Sequence, residues 1–232
     1  MNEVINVRNL SKEFCSKNAK VAAVKDVSMQ ISEGEVIMIL GPSGSGKTTL
    51  LSMIGLILTP TSGKIYLDKR EISGLPDKEL ASIRKKQIGF VFQGFNLLKS
   101  LTVQENVEVA LNLNGIRGRE AREKAKEFLT EVGLAERLSF YPSDLSGGEK
   151  QRVSIARAIA NDPKMILADE PTGNLDSKTG QKIGGLLRDL AKNHRKTVVI
   201  VTHDNRIINF ADRIISIEDG TIRSESNVEA VA

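Results

Sequence analysis

The chain has one cysteine, Cys15, which excludes an internal disulfide and suits a reducing compartment. It has no long hydrophobic run. "VIMIL" and "IGLIL" are the longest, well short of the roughly 20 apolar residues a helix needs to cross a bilayer. The opening "MNEVINVRNL" lacks the apolar stretch of a secretory signal. Charge of one sign is not in excess either: 33 Lys and Arg against 29 Asp and Glu leave a net +4. So mild a surplus, spread along the chain, does not argue for nucleic acid. Internal repeats are also missing. These absences predict a cytoplasmic protein whose work at a membrane, if any, runs through a partner.

What is present suits a globular fold. The 232 residues, 40% hydrophobic and 27% charged, suffice for one large domain or a core with a subdomain. "EVINVRNL" and "VKDVSMQIS" alternate as strands do, around a loop expected near Cys15 to Lys20. "GEVIMIL", "KQIGFVFQ", "KMILADE" and "KTVVIVTHD" read as strands, the wholly apolar runs among them as buried ones. "TTLLSMIGLIL" reads as a helix, and "GKIYLDKREI" as a hairpin. "RIISIEDGTIRS" is a second hairpin, turning at Asp219-Gly220. From Gly94 to about Asp162 the pattern is helical; there Ala121, Ala125, Phe128, Leu129 and Val132 share one face. Glu120 and Lys124, four apart, read as a solvated pair. Strands interrupted by helices predict an α/β core with a helical insertion.

Three stretches carry chemistry. "GPSGSGKT" comprises Gly41, Pro42, Ser43, Gly44, Ser45, Gly46, Lys47 and Thr48, and it follows a strand and opens a helix. Those flanks separate a phosphate-binding loop from a chance match. Its glycines let backbone N–H groups curl around phosphate oxygens, Lys47 reaches the β- and γ-phosphates, and the Thr48 hydroxyl ligates Mg²⁺. Thr49 completes the expected ATP-binding set. "MILADE" ends a strand in two acids. Asp169 is placed to hold Mg²⁺ through water, and Glu170, turned differently, to face an attacking water as general base.

The third stretch, "SDLSGGEKQRV", poses a question. Ser146 and Glu149 form an S-x-x-E capping box, which leaves Gly147 and Gly148 unexplained. Glycine in a helix costs about 1 kcal/mol relative to alanine. A hydroxyl and bare glycine N–H groups at a helix N-terminus make a second anion site. The simplest expectation is that it caps the nucleotide of another copy of the chain.

In order and spacing, "GPSGSGKT", "LSGGE" and "DEPTGNLD" resemble the ATP-binding cassette ATPases, from about Val4 to Arg223. The resemblance implies a single domain: a P-loop, RecA-like α/β core with an antiparallel β subdomain (1–93 and 163–232) and a helical subdomain (94–162). It implies ATP and Mg²⁺ as cofactors. Gln93 in "VFQGFNL" would contact Mg²⁺ and the water, Asp176 in "GNLD" would act across a dimer, and His203 in "VTHD" would meet the γ-phosphate. Phe14 in "LSKEF" stands where an aromatic stacks on adenine. Read alone, these are an exposed strand end, a helix cap, a strand-end histidine and a core aromatic. His194 matches no motif and reads as surface.

The "DEPTGNLD" stretch and the glutamate of "LSGGE" resemble the narrower lipoprotein-release, macrolide-export and cell-division group. That implies an ATPase dimerising head to tail around two Mg-ATP and driving a separate membrane permease, peripheral on the inner face of the cell membrane. Phe95, Leu97 and Leu98 in "GFNLLKSL" are the expected docking surface. The alternative is an ATPase that regulates an envelope or division partner without moving a substrate. A nucleic-acid repair ATPase is disfavoured, since the chain has no heptad run and no zinc-type cysteines.

Overall fold

In the computed structural model, which describes residues 3–16 and 19–228, the chain opens with two long antiparallel strands, β1 (Glu3–Ser16) and β2 (Ala19–Ser32). The loop expected near Cys15 to Lys20 is largely strand. Cys15 pairs with Lys20 and Ser16 with Ala19, while Lys17 and Asn18 lie outside the described residues. Asn9 (φ 50°) and Asp26 (φ 51°) sit where the register shifts, and Asn9 Nδ2 donates to Asp26 Oδ1 at 2.8 Å. Such irregularities break the period of two by which a strand is recognised.

Next come β3 (Val36–Leu40), α1 (Lys47–Ile54), β4 (Ser62–Leu67), β5 (Arg70–Glu71), α2 (Asp77–Gln87) and β6 (Ile88–Phe92). Helix α1 is shorter than its apolar sequence predicts. The Gly55 N–H closes it onto Leu51 O at 2.8 Å, and a Cβ on Gly55 would lie 2.6 Å from the Phe90 ring. The chain therefore turns where it meets β6. Helix α2 has no counterpart in the sequence pattern, and its last residues, Lys86 and Gln87, fall in a stretch whose sequence predicts strand.

Three helices fill the expected insertion: α3 (Val103–Leu113), α4 (Gly118–Glu131) and α5 (Gly147–Ile159). The α4 face is as read, with Ala121, Ala125 and Leu129 buried and Glu120 paired to Lys124 at 2.9 Å. Then follow β7 (Met165–Asp169), α6 (Ser177–His194), β8 (Thr197–Thr202), β9 (Arg213–Glu218) and β10 (Thr221–Asn227). Asp219 and Gly220 both have positive φ (49° and 79°), as a two-residue hairpin turn of this hand requires.

Two sheets result. A four-stranded antiparallel sheet runs β2-β1-β4-β5, and a six-stranded one runs β10-β9-β3-β8-β7-β6, parallel from β9 to β6. The larger sheet is buried on both faces, because successive side chains point opposite ways. Ile37, Ile39, Leu167 and Val199 pack on α1 and the antiparallel sheet. Val36, Met38, Ile166 and Val198 pack in a second core with residues of α3, α4, α5 and α6.

Candidate functional site

Four neighbouring parallel strands, β3, β8, β7 and β6, end at one edge of the sheet. In register, Leu40 pairs with Thr202, Asp169 with Val201 and Phe92 with Asp169. The residues just beyond are therefore, in order, the loop at Gly41, His203, Glu170 and Gln93. This edge, outside the carboxyl ends of parallel strands, is where such sheets bind ligands. Ser43, Gly44, Ser45, Gly46, Lys47, Thr48, Thr49, Gln93, Glu170 and His203 line one cavity of about 350 Å³ there, together with Ala23. Residues predicted from separate stretches thus meet in one place.

The loop needs its glycines. Gly46 has φ 100°, and a Cβ on it would lie 2.2 Å from Ala23 O; one on Gly41 would lie 2.2 Å from Ile217 O. Lys47, only 6% exposed, donates from Nζ to the carbonyls of Gly41 (2.7 Å) and Pro42 (2.8 Å). The ammonium therefore sits inside its own loop. Ser45 Oγ is buried there without a hydrogen-bond partner. Thr48 Oγ1 donates to Asp169 Oδ1 at 3.0 Å, bringing two hard oxygen donors together. Burial pushes the Asp169 carboxyl up, against the Thr48 hydrogen bond and the Lys47 charge.

Glu170 turns away from its strand with φ 47°, an unfavourable conformation for a non-glycine residue. Its own N–H donates to Val201 O at 2.9 Å. One carboxylate oxygen, Oε2, accepts from Thr202 Oγ1 (2.8 Å) and the His203 N–H (3.3 Å); Oε1 lies 2.8 Å from His203 Nδ1. The carboxylate is largely covered (14% exposed) while the imidazole is open (68%). Gln93 is tied at its other side: its Nε2 donates to Asn174 Oδ1 at 3.3 Å, and Asn174 Nδ2 donates to Gln93 O at 2.9 Å.

Two supports were not foreseen in the sequence. Arg157 of α5 donates to Asn96 O (2.7 Å) and Phe95 O (2.9 Å), holding a segment in which both residues have positive φ. Asp204, beside His203, accepts from Arg206 Nε (2.7 Å) and Thr172 Oγ1 (2.6 Å). The Arg206 hydrogen bonds are the main reason its carboxyl is held down to about 2. Only the sequence neighbours of His203 and Gln93 could have hinted at either.

The residues of the "LSGGE" stretch, the signature of this chain, lie apart from the cavity. Ser146 caps α5, its Oγ accepting from the Glu149 N–H at 3.3 Å, and Glu149 Oε2 accepts from Ser146 N (2.9 Å) and Oγ (2.7 Å). Chiefly through the Ser146 N–H, the Glu149 carboxyl is held down to about 2. The glycines that capping left unexplained have a reason inside the chain. A Cβ on Gly148 would lie 2.4 Å from Thr179 Cγ2, and one on Gly147 3.2 Å from Leu175 Cδ2. Asp176 caps α6 by accepting from the same Thr179 at 3.0 Å. Ser146, Gly147, Gly148, Glu149 and Asp176 therefore adjoin one another, and none lines the cavity. Phe14 also stands outside it, 45% exposed, with Lys12 Nζ 5.5 Å from its ring centre. His194 is on the surface, half exposed, 3.3 Å from Glu131.

Fold and strand-end cavity together define a P-loop nucleotide hydrolase. A family model described as "ABC transporter" matches residues 24–173, and the chain belongs to that family as an ATP-binding cassette ATPase. The chain is 47% identical over 229 residues to the uncharacterized ABC transporter ATP-binding protein MJ0796 of Methanocaldococcus jannaschii, covering 97% of each. It is 44% identical over 222 residues to the macrolide export ATP-binding/permease protein MacB of Salmonella typhimurium, covering 96% of this chain but 34% of that protein. Among solved structures it resembles the dimeric MJ0796 cassette bound to ADP and Pi in a post-hydrolysis state. The TM-score is 0.89 with 45% identity, covering 96% of this chain and 98% of that one. Among the described residues, no helix is long and apolar enough to cross a membrane.

Proposed function

We propose that two copies of this ATPase close head to tail around two nucleotides, the loop of one facing Ser146, Gly147 and Gly148 of the other, and so drive a separate membrane permease. The placement of the signature carries this reading: a helix end capped by Ser146 and opened by two glycines, beside Asp176 and outside the cavity of its own chain. The dimeric MJ0796 cassette supports the assembly, and MacB, an ATP-binding/permease protein of greater length, supports a permease as the driven element. The class of work is export, lipoprotein release or efflux, at the cytoplasmic face of the membrane. The chain divides into a core with its β sheet (1–93 and 163–232) and a helical subdomain (94–162).

In the chemistry, Lys47 leaves its two carbonyls for the phosphates, and Phe14 takes the adenine. Glu170, oriented by Thr202 and His203, accepts the proton of the attacking water, while His203 meets the γ-phosphate. Thr48, Gln93 and Asp169 would hold Mg²⁺. Few protein oxygens suit an ion that keeps waters and phosphate oxygens as ligands; bound, it neutralises phosphate charge. Permease docking falls on a groove lined by Phe90, Phe92, Leu98 and Leu113. There Leu98 and Leu113 are 46% and 65% exposed, whereas Leu97 packs toward the core.

The test is Glu170→Gln, which keeps shape and hydrogen bonding. Size exclusion with Mg-ATP should show a stable dimer, with ATPase reduced about 100-fold or more. Wild-type turnover in that variant would remove Glu170 from the role of base.

A further inference from the structure

The signature of this chain carries a carboxylate at the helix end where, on the proposed reading, the γ-phosphate of another copy's nucleotide arrives. Ser146 has a single hydroxyl proton, and its Oγ lies 2.7 Å from Glu149 Oε2. A phosphate oxygen bonded to that hydroxyl would stand one hydroxyl away from a second anion. Glu149 is 20% exposed, so water screens the repulsion only in part. Nor does protonation remove the charge at neutral pH, because the Ser146 N–H and hydroxyl hold the carboxyl down to about 2.

One side chain offsets that charge. Arg137, from the short turn 135–137 ahead of the signature, donates from Nε to Glu149 Oε1 at 3.1 Å, on the side away from the oxygen that Ser146 uses. Its guanidinium lies over the Phe140 ring, 4.7 Å from the centre, which fixes its direction. Among the described residues, no other basic side chain pairs with Glu149.

We propose that Arg137 is a positioning residue of the signature. It neutralises and anchors Glu149 so that the Ser146 hydroxyl and the glycine amides can receive a phosphate from another copy. The inference rests on the trans reading of the signature given above. A side chain that merely braced the turn would not care about the charge at position 149.

The experiment measures the ATP concentration for half-dimerisation, by light scattering, in the Glu170→Gln background. Thermal melts and binding of a fluorescent ATP analogue to the monomer control for folding. Arg137→Met should raise the midpoint about tenfold, as loss of a compensating interface charge does. Arg137→Lys should fall between the two. Adding Glu149→Gln to Arg137→Met should restore the midpoint to within about threefold of the parent, since no charge then needs compensation. A double variant no better than Arg137→Met would overturn the inference. So would an unchanged midpoint in Arg137→Met while Ser146→Ala raises it. If neither Arg137→Met nor Ser146→Ala moves the midpoint, the trans reading itself fails and takes the inference with it.

Discussion

Two stretches of this chain set glycines and a hydroxyl at a helix N-terminus, yet each is filled by an opposite internal charge. In the loop from Gly41 to Thr48 the occupant is a cation, Lys47, bonded to two carbonyls. At Ser146 to Glu149 it is an anion, Glu149, bonded to the Ser146 N–H and hydroxyl. A phosphate entering the first site gains the resident charge as a partner; entering the second, it must share a hydroxyl with a competitor. Their glycines differ too. A Cβ on Gly41 or Gly46 would meet a backbone carbonyl at 2.2 Å, which cannot be trimmed, whereas one on Gly148 would meet a methyl group of Thr179. The loop is complete within one chain. On the proposed reading, the signature is half of a site.

The most severe way to break this contrast mixes subunits. A chain carrying both Lys47→Ala and Gly148→Asp, paired with wild type, leaves neither composite site whole. Splitting the two changes between chains gathers both defects in one site and leaves the other intact. Purified heterodimers of the split kind should keep up to about half the wild-type ATPase, and those of the joined kind about 100-fold less. Equal activity in both would show that the signature does not act across the interface.

A milder change separates packing from phosphate contact. Gly148→Ala alone should lower stability by about 1–3 kcal/mol through overpacking against Thr179. Thr179→Ser removes the methyl group and keeps the backbone N–H that Asp176 caps, so the double variant should regain its melting temperature. If the glycine also serves a phosphate, ATP-driven dimerisation should stay impaired in the double variant. Full recovery of both would reduce the glycine to a packing role.

How much of this the sequence shows depends on how local the chemistry is. The loop, the acids at the end of β7 and the turn at Asp219-Gly220 are legible because each needs only its neighbours and a flanking strand. Gly148 was legible as an anomaly but not in its packing, since Thr179 approaches it from another helix. Helix α2 leaves no apolar stripe in the sequence, because Leu80 alone of its residues is buried. The α1 helix was read too long because "IGLIL" stays apolar past the point where Phe90 stops it. Arg157 and Arg206 look like any surface cations until the carbonyls and carboxylate they hold are in view.

The docking groove lies near Gln93 and outside both anion sites, so it should separate from them. Leu98→Glu should leave basal ATPase and ATP-driven dimerisation within about twofold of wild type, since exposed substitutions seldom disturb a fold. Stimulation by a co-purified permease in vesicles should be lost. Stimulation that survives would move the docking site elsewhere on the chain.

The smallest effect follows the competing anion itself. Glu149 is held at about 2, against an ordinary value of 4.5, mainly by the Ser146 N–H. A carboxyl depressed on folding stabilises the native state above its unfolded value, and that share is lost as pH falls through the folded one. Its contribution is thus whole above about pH 4.5 and fades toward pH 2. Urea midpoints measured from pH 7 down to 2.5 should therefore fall less steeply in Glu149→Gln than in wild type, with the two curves converging at the acid end. Some slope should remain, because Asp204, held at about 2 by Arg206, titrates in the same window. Lys47→Ala removes no carboxylate and should leave the acid limb with its original slope. If Glu149→Gln also keeps the wild-type slope, Glu149 is not clamped by Ser146 in the free chain. The signature would then be an open anion site, and the contrast with the lysine-filled loop would vanish.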